Sequence, residues 1–277
     1  MLEKRAIRRL LGSAFREDIG LCDITTSSVL AGQEKGRATA LAKSSCIVAG
    51  IEVFREAFLY RDHNLTFAAN LTDGERADKG TVLAEISGSL WSILTAERVA
   101  LNFFQRMCGI ATLTRQFVDQ TEGTRAKILD TRKTVPGLRY LDKYAVKIGG
   151  GMNHRFGLFD GVLVKDNHIA AAGGISRALM RVRSAVSHTQ KIEVEVKNMQ
   201  EIEEALLAGA DVIMLDNMTM EAMKKAVAFV DGRVPLEASG NVTLHNVRQI
   251  AQTGVDFISV GMLTHSVTAA DISLKIT

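Results

Sequence analysis

The chain has 277 residues, of which 47% are hydrophobic and 23% charged, with 2 prolines and 23 glycines. This composition fits one large or two ordinary globular domains and excludes a disordered or fibrous chain. The formal net charge of +3 is too small to indicate a nucleic-acid-binding protein.

The lengths of the apolar runs and the distribution of the cysteines indicate the cellular compartment in which the protein is expected. No apolar run reaches the roughly 18 residues that a membrane-spanning helix needs. Cys22, Cys46 and Cys108 are scattered and odd in number, which indicates reduced thiols rather than a disulfide framework. We therefore expect a cytoplasmic protein that binds neither membranes nor nucleic acid.

The first part of the chain, up to about Gly109, mixes strand and helix patterns. The N-terminal stretch MLEKRAIRRLLGSAFREDIG predicts an amphipathic helix that packs through Leu2, Ala6, Leu10 and Ala14. Strand patterns in RATALAKSSCIVAG and NLTFAANLTDGERADKGTVLAEISG flank a helical pattern in IEVFREAFLY, and a long helix is predicted from Leu90 to about Cys108. Because strands and helices do not alternate strictly, this part predicts an α+β domain.

From about residue 127 the pattern becomes regular. Short apolar runs occupy Lys127–Leu129, Gly161–Val164, Lys191–Val196, Asp211–Leu215, Val234–Leu236 and Asp256–Val260. The last four begin at 191, 211, 234 and 256, which are 20, 23 and 22 residues apart. That spacing is one strand–helix unit per step, so the strands should be parallel and buried on both faces.

Polar side chains lie along or directly after each of these six runs. They include Asp130 to Lys133, Lys165 to His168, Glu193 and Glu195, Asp216 and Asn217, Glu237 to Gly240, and Gly261. In (β/α) barrels the active site is built at the carboxyl ends of the strands. The sequence therefore predicts a barrel with a site at this end, and with only six clear strands the barrel should be irregular or incompletely closed.

Positive charge is concentrated between Thr131 and His168, where seven Lys/Arg stand against three acids. Arg139, Lys143 and Lys147 recur every four residues and predict a solvated helix face. The other basic side chains lie at segment ends, where side chains converge on a barrel mouth; they are Arg132, Lys133, His154, Arg155 and Lys165. Such a cluster requires an anionic ligand that carries carboxylates, phosphates or both.

Two further groups belong to the predicted site. Glu195 and Asp216 come from neighbouring strands at equivalent depth, where they could pair with the lysines or hold a magnesium ion that bridges to phosphate. Ser239, Gly240 and Gly261 end the last two strands, which is the usual phosphate position in barrels.

The longest motifs resemble those of the quinolinate phosphoribosyltransferases, the decarboxylating nicotinate-nucleotide pyrophosphorylases. They are EDIGLCDITT (Glu17–Thr26), LTAERVALNFFQRMCGIAT (Leu94–Thr112), DTRKTVPGLRYLDKYAVKIGGGMNHRFGLFDGVLVKDNHI (Asp130–Ile169), and then IEVEV, MLDN, LEASGN and ISVGMLTHS. The resemblance covers nearly the whole chain. It implies an N-terminal α/β sandwich domain (residues 1–109), whose first helix could also pack on the barrel. A C-terminal open, TIM-like α/β barrel of seven strands (residues 110–277) would follow.

The resemblance also implies an activity and an assembly. The chain would be a pentosyltransferase that moves the phosphoribosyl group of phosphoribosyl pyrophosphate to quinolinate, with decarboxylation, in NAD biosynthesis. Magnesium would be its cofactor. Its subunits would form homodimers or higher oligomers with shared active sites.

Roles for individual residues follow from matching positions. Quinolinate would be held by Arg132, His154, Arg155 and Lys165, with Arg98 reaching in from the partner subunit. Phosphoribosyl pyrophosphate would contact Lys133, Glu195, Asp216, Ser239, Gly240, Gly261 and His265. Glu195 and Asp216 would hold magnesium directly or through water, and the catalytic set would be Lys133, Lys165, Glu195 and Asp216.

Three alternatives remain open at this point. A paralogous transferase associated with molybdate transport shares the TRKT and GGGxxHR motifs, although KDNH at Lys165–His168 favours the quinolinate enzyme. A barrel aldolase would use Lys165 or Lys133 as a Schiff-base amine. A non-catalytic anion-binding protein would have no reason to place Glu195 and Asp216 beside bound phosphate.

Overall fold

The computed structural model describes residues 2–276. Its helices are α1 Lys4–Ile19, α2 Ile24–Val29, α3 Ile51–Arg61, α4 Leu90–Gln120, α5 Arg139–Ile148, α6 Asp166–Ala172, α7 Ile175–Ala185, α8 Met199–Leu207, α9 Met220–Val230, α10 Val247–Ala251 and α11 Met262–His265. Its strands are β1 Lys35–Ala42, β2 Cys46–Ile47, β3 Thr66–Ala69, β4 Arg76–Ala77, β5 Val82–Ser89, β6 Lys127–Leu129, β7 Val162–Val164, β8 Ile192–Val196, β9 Val212–Asp216, β10 Leu236–Ser239, β11 Phe257–Ser259 and β12 Ile272–Ile276.

The chain forms two compact units. The first contains residues 2–115, 135–150 and 266–276, and the second contains residues 116–134 and 151–265. The segments 135–150 and 266–276 therefore group with the first unit, although the sequence division assigns them to the barrel domain. The domain boundary at residues 109/110 stays a prediction.

The first unit is built on an antiparallel sheet with the strand order β12-β1-β5-β3. Along β1, Ala38, Ala40 and Ala42 are buried and alternate with more exposed residues, as expected for a strand with one face on a core. The last strand, β12, pairs with β1 through Ala40 and Leu274, so the end of the chain returns to this sheet. The sequence patterns did not predict β12.

Helix α1 packs against α3 in this unit, but not through the predicted face. The buried residues are Ile7, Leu11, Gly12 and Phe15, so the prediction of Leu2, Ala6, Leu10 and Ala14 is wrong by one position. The larger side chains define the apolar stripe, and the Phe15 ring stacks on Tyr60 at 5.6 Å. Beside the stripe, Lys4 and Arg8 form ion pairs with the buried Glu56.

Helix α5 is more deeply embedded than its basic spacing predicted. Asp142 is fully buried and forms a two-point ion pair with Arg106, and Lys143 is only 3% exposed. The predicted solvated face of Arg139, Lys143 and Lys147 is therefore wrong at Lys143. A period of four residues indicates which side chains share a face, but it does not indicate whether water covers that face.

The second unit is built on a parallel sheet with the strand order β6-β11-β10-β9-β8-β7. All five residues of β8 are buried, as expected for a central strand of a parallel sheet that is covered on both faces. Beyond β6, Met152 forms a single parallel bridge with Leu129. This bridge occupies a seventh position in the sheet, beyond the six runs that are clear from the sequence. The fold is the predicted α/β class, with an N-terminal sheet domain and an open α/β barrel.

A helix that crosses a bilayer must be both long and apolar. Between residues 2 and 276, none of the helices combines the two properties.

Candidate active site

Strand register places several acidic and hydroxyl side chains on one face of the parallel sheet. Glu195 and Glu237 are both level with Met214, and Ser239 is level with Asp216. Because side chains alternate along a strand, these residues and Glu193 point to the same side. Asp216 lies two positions further along its strand than the residue level with Glu195. The expected equal depth of Glu195 and Asp216 is therefore wrong.

Two arginines lie together at the carboxyl end of this sheet. Arg132 follows β6, and Arg155 lies in the loop before β7, where its Nη1 donates to the Gly161 carbonyl at 3.0 Å. Burial lowers the pKa of Arg155, and the positive charge of Arg132 lowers it further. Two neighbouring, partly buried guanidinium groups repel each other, so this position favours an anionic partner.

Asp130 and strand β6 fix the segment that leads into His154. Met152 pairs with β6, and its N–H donates to the Ile128 carbonyl at 2.8 Å. The fully buried Asp130 accepts from the Asn153 side chain at 2.6 Å and from the His154 N–H at 2.9 Å. The His154 ring extends from this anchor, and its Nε2 lies 2.9 Å from Glu193 Oε2.

Two lysines meet the acidic face at its edge. Lys165 Nζ lies 3.3 Å from Glu195 Oε2, and Lys197 Nζ lies 3.3 Å from Asp166 Oδ2. The hydrogen bond to Asp166 and its charge raise the pKa of Lys197, and the charges of Glu195 and Asp216 add to this effect. These residues therefore form one network of alternating charge at the ends of β7, β8 and β9.

Lys133, Gly261 and His265 meet at the end of β11. A Cβ atom built on Gly261 would lie 3.0 Å from Lys133 Cδ and 3.2 Å from His265 Nε2. The Thr264 hydroxyl donates to the Lys133 carbonyl at 2.8 Å, which fixes the two segments together. Glycine thus leaves space between two basic side chains that are far apart in sequence.

Gly240 follows β10, as Gly261 follows β11. Its φ is +97°, and a Cβ atom there would overlap Asn217 Oδ1. Asn217 in turn accepts from the Asn241 side chain at 3.0 Å and donates to Asp216 Oδ2 at 3.0 Å. The loops after β9 and β10 are therefore held together, with Asp216, Ser239 and Gly240 at their junction.

Arg98 belongs to the other compact unit. It lies on α4 with its side chain 60% exposed, and its Nη2 is 3.8 Å from Glu97 Oε1. Its expected role in the site of a partner subunit stays a prediction.

The acidic face has the chemistry that a magnesium ion requires. Glu195 and Asp216 offer carboxylate oxygens from adjacent strands, and magnesium is typically held by one or two carboxylates together with water and substrate phosphate. Lys165 contacts one carboxylate oxygen of Glu195, and Asn217 contacts one carboxylate oxygen of Asp216. The residues thus fit an ion that is bound mainly through water and substrate oxygens.

Sequence reasoning placed Asp130, Glu193, Asn217 and Glu237 among the polar groups of the strand ends but gave them no role in the site, and it did not name Lys197. Glu193 and Glu195 alternate in a strand that is otherwise apolar, which was a usable signal that both face inward. Glu237 likewise lies two residues before Ser239. Asp130, by contrast, acts through the backbone of a distant loop, and no local pattern indicates such a contact.

Comparisons with known proteins decide the family. A model described as "Quinolinate phosphoribosyl transferase, N-terminal domain" matches residues 23–108, and one for the C-terminal domain matches residues 110–275. The chain belongs to the quinolinate phosphoribosyltransferase family. The predicted recognition is confirmed.

Individual members of this family are similar over almost the full chain. A probable nicotinate-nucleotide pyrophosphorylase [carboxylating] of Bacillus subtilis (strain 168) is 45% identical over 271 residues, covering 98% of this chain and 93% of the relative. The mitochondrial quinolinate phosphoribosyltransferase [decarboxylating] 2 of Nicotiana glauca is 44% identical, covering 98% and 82%. The structure of the Francisella tularensis nicotinate-nucleotide pyrophosphorylase superposes with a TM-score of 0.96 at 39% identity, covering 100% and 98%.

Proposed function

We propose that the chain transfers the phosphoribosyl group of phosphoribosyl pyrophosphate to quinolinate, releasing pyrophosphate and carbon dioxide and forming nicotinate mononucleotide for NAD biosynthesis. The observation that carries this proposal is the pair of neighbouring guanidinium groups of Arg132 and Arg155 at the barrel mouth. They lie in a chain that matches its family through both domain models. The names of its relatives agree with this activity.

The arginine pair suits a dicarboxylate. Each guanidinium can form two parallel hydrogen bonds to one carboxylate, and two adjacent carboxylates would relieve the repulsion between Arg132 and Arg155. Lys165 lies on the neighbouring strand end and can exchange its contact with Glu195 for one with the substrate. This arrangement would fix the pyridine ring with its nitrogen toward the ribose.

The phosphoribosyl substrate would lie across the ends of β9, β10 and β11. The 5-phosphate fits beside Ser239, Gly240 and Gly261, where glycine lets an anion approach the backbone. Lys133 and His265 border the same space and would bind phosphate or pyrophosphate oxygens. Glu195 and Asp216 would hold a magnesium ion, which when bound would neutralise charge on the pyrophosphate.

The reaction needs alignment and charge neutralisation more than covalent chemistry by the protein. The pyridine nitrogen donates its electron pair to the anomeric carbon, and the bond to the pyrophosphate oxygen breaks. Lys133 would stabilise the negative charge that builds on this oxygen. When the 2-carboxylate leaves as carbon dioxide, the positively charged ring nitrogen stabilises the electron pair left on the ring, while the arginines hold the substrate in place.

The geometry of the site and the similarity to known proteins both disfavour the alternative functions. A Schiff-base lysine needs apolar or cationic surroundings, whereas Lys165 lies 3.3 Å from a carboxylate with its side chain 47% exposed. The family matches favour the quinolinate enzyme over a protein of molybdate transport. Because an acidic face lies beside the cationic cluster, the site also differs from that expected for a non-catalytic anion-binding protein.

The proposal includes an assembly and a place of action. We propose a homodimer or higher homo-oligomer in which Arg98 completes the site of a partner subunit, acting in the cytoplasm. The support is the resemblance of the ERVALN motif around Arg98 to the family pattern, and the exposure of this arginine.

One assay tests the activity. Purified protein with quinolinate, phosphoribosyl pyrophosphate and magnesium should produce nicotinate mononucleotide, pyrophosphate and carbon dioxide in equal amounts. Arg155→Ala should reduce turnover, whereas Arg181→Ala on the exposed side of α7 should not. Nicotinate lacks one carboxylate, so it should be used at least about tenfold less well, because a charge-assisted contact contributes about 1.5–3 kcal/mol. Equal use of nicotinate would contradict the quinolinate assignment.

A magnesium titration tests the metal proposal separately. Glu195→Gln and Asp216→Asn should weaken magnesium-dependent binding of phosphoribosyl pyrophosphate and change quinolinate binding much less. If both variants retain the magnesium dependence of the wild type, the two carboxylates act only as partners of the lysines.

A further inference from the structure

The loops after β9 and β10 meet at one exposed residue, Asn217, which the proposed function does not use. The Asn217 backbone N–H donates to the Ser239 carbonyl at 2.9 Å, and its side-chain amide donates to Asp216 Oδ2 at 3.0 Å. Its Oδ1 accepts from the Asn241 side chain at 3.0 Å. Asn217 therefore joins the carboxylate proposed to hold magnesium to the loop proposed to bind the 5-phosphate.

The chemistry of its partners determines the orientation of the Asn217 amide. An ionised carboxylate only accepts hydrogen bonds, so the NH2 group of Asn217 faces Asp216 and the amide oxygen faces the Asn241 side chain. The carbonyl of Asn241 accepts in turn from the Asn246 side chain at 2.9 Å, which holds Asn241 in place. Donors and acceptors therefore match at every step from Asn246 to Asp216.

Asn217 and Asn241 both have a left-handed backbone, with φ of +53° and +51°. Asparagine tolerates this conformation better than most residues, which is one sufficient reason for its presence at each position. The conformation does not require, however, that the two side chains contact each other or that one of them contacts Asp216. These side-chain contacts indicate a role beyond the formation of the turns.

The hydrogen bonds restrict the carboxylate of Asp216. Asp216 is partly buried at the end of β9, and Asn217 holds one of its two oxygens. Because Asn217 is exposed, water competes for this single bond, and the position of the amide depends on its bonds to Ser239 and Asn241 as well. Removal of a group that orients a metal ligand typically lowers metal affinity by about tenfold to a hundredfold.

We propose that Asn217 is a positioning residue that fixes the Asp216 carboxylate relative to the phosphate-binding loop after β10. Phosphoribosyl pyrophosphate carries a phosphate at one end and a pyrophosphate at the other, so the groups that bind its two ends must keep a fixed separation. Asn217 sets this separation through its bonds to Asp216 and Asn241, and Asn241 supports it. This inference rests on the proposed function, which supplies the substrate and the magnesium ion.

Calorimetric binding of phosphoribosyl pyrophosphate, with and without magnesium, tests the proposal. Asn217→Gly removes the amide and keeps a residue that accepts the left-handed backbone. It should weaken binding about tenfold or more in the presence of magnesium, and by no more than about twofold in its absence, because the effect acts through a metal ligand. Quinolinate binding should stay within about twofold of the wild type for the same reason.

Asn241→Gly is the second variant, and Asp231→Gly is the matched control. Asn241→Gly removes the donor to Asn217 and should weaken magnesium-dependent binding by about twofold to tenfold, the range for one hydrogen bond between neutral groups. Asp231 also has a left-handed backbone, with φ of +47°, but it lies at the exposed end of α9. Asp231→Gly should therefore bind the substrate as the wild type does, with and without magnesium.

Two results would overturn the proposal. Unchanged magnesium-dependent binding in folded Asn217→Gly would show that the amide does not position Asp216. An equal loss of binding with and without magnesium would show that Asn217 acts directly on the substrate. If Asn217→Gly does not fold, the same two comparisons with Asn241→Gly decide the question.

Quinolinate conversion by the wild type separates this inference from the proposed function. If the wild type binds phosphoribosyl pyrophosphate with magnesium but does not convert quinolinate, the proposed function fails, and the comparison of variants still decides the role of Asn217. A wild type whose binding of phosphoribosyl pyrophosphate does not depend on magnesium would overturn the inference, whether or not quinolinate is converted.

Discussion

Gly240 has the strictest steric requirement among the predicted phosphate-binding residues. Its φ of +97° is unfavourable for any residue with a side chain, and a Cβ atom would overlap Asn217 Oδ1. Asn217 cannot move freely, because it bonds both Asp216 and Asn241. The backbone conformation at Gly240 therefore affects the position of Asp216 through Asn217.

Gly240→Ala should consequently lower both stability and affinity for phosphoribosyl pyrophosphate. Backbone strain of this kind costs about 1–3 kcal/mol, and the overlap with Asn217 adds to it. Gly232→Ala is the control, since Gly232 also has a positive φ (+71°) but no heavy atom within 4 Å of its Cβ position. Denaturant unfolding and the KM for phosphoribosyl pyrophosphate measure the two effects. Equal losses in the two variants would show that the contact with Asn217 is unimportant.

Glu237 should make stability depend on pH. Its pKa is raised to about 8 in the folded chain, from an ordinary value of 4.5, so between these values the folded state keeps a proton that the unfolded state releases. The free energy of unfolding should therefore fall as pH rises through this range, by at most about 1.4 kcal/mol per pH unit for one proton.

Glu237→Gln removes this titration and should flatten the fall. The comparison is denaturant unfolding of the wild type and the variant at several pH values from 5 to 8. The stability of the wild type relative to the variant should decrease as the pH rises. Parallel curves for the two proteins would contradict a raised pKa at Glu237.

At the scale of single elements, helix α5 depends on one buried ion pair. Arg106 donates to both oxygens of Asp142 at 2.9 and 2.7 Å, and the Asp142 side chain is fully buried. Asp142→Ala should lower the free energy of unfolding by about 3 kcal/mol, the lower end for a broken buried pair, because Arg106 keeps some contact with water. Asp78→Ala breaks the exposed pair with Arg76 and should cost no more than about 1 kcal/mol. Similar losses in both variants would show that burial does not strengthen the Asp142 pair.

The strands of the barrel were predictable because buried strands have a characteristic apolar sequence pattern. The runs predicted at Lys191–Val196 and Asp211–Leu215 are found as Ile192–Val196 and Val212–Asp216. Parallel strands covered on both faces need continuous apolar residues, and this pattern is local. The bridge at Met152 escaped detection because a single paired residue produces no pattern.

Elements whose position depends on distant partners were harder to predict. Helix α4 continues to Gln120, well past the predicted end near Cys108, and no proline interrupts the intervening sequence. Strand β12 forms because β1 offers an edge more than 200 residues earlier in the chain. The polar residues of the site were predictable as strand endings, whereas the contact of His154 with Glu193 depends on a loop and a strand that are distant in sequence and meet in space.

At the scale of the whole molecule, the position of Arg98 bears on whether one active site is formed by two subunits or by a single subunit. Arg98 lies on α4, outside the compact unit that contains Arg132, Lys133 and Arg155. Its side chain is largely exposed in the single chain. In the proposed oligomer this arginine would contact the dicarboxylate bound by a partner subunit, where exclusion of water strengthens each charged contact.

Complementation between two inactive variants tests this assembly. Arg98→Ala and Lys133→Ala should each be inactive alone, but a mixed dimer would contain one site with both defects and one site with neither. After subunit exchange at equal concentrations, half of the dimers would be mixed and activity should return to about a quarter of the wild type. Native mass measurement establishes that exchange has occurred, and a mixture of Lys133→Ala with Lys165→Ala, two residues of the same barrel, is the control that should stay inactive. If exchange is complete and no activity returns in the first mixture, Arg98 does not act in a partner's site, and the shared-site proposal is wrong.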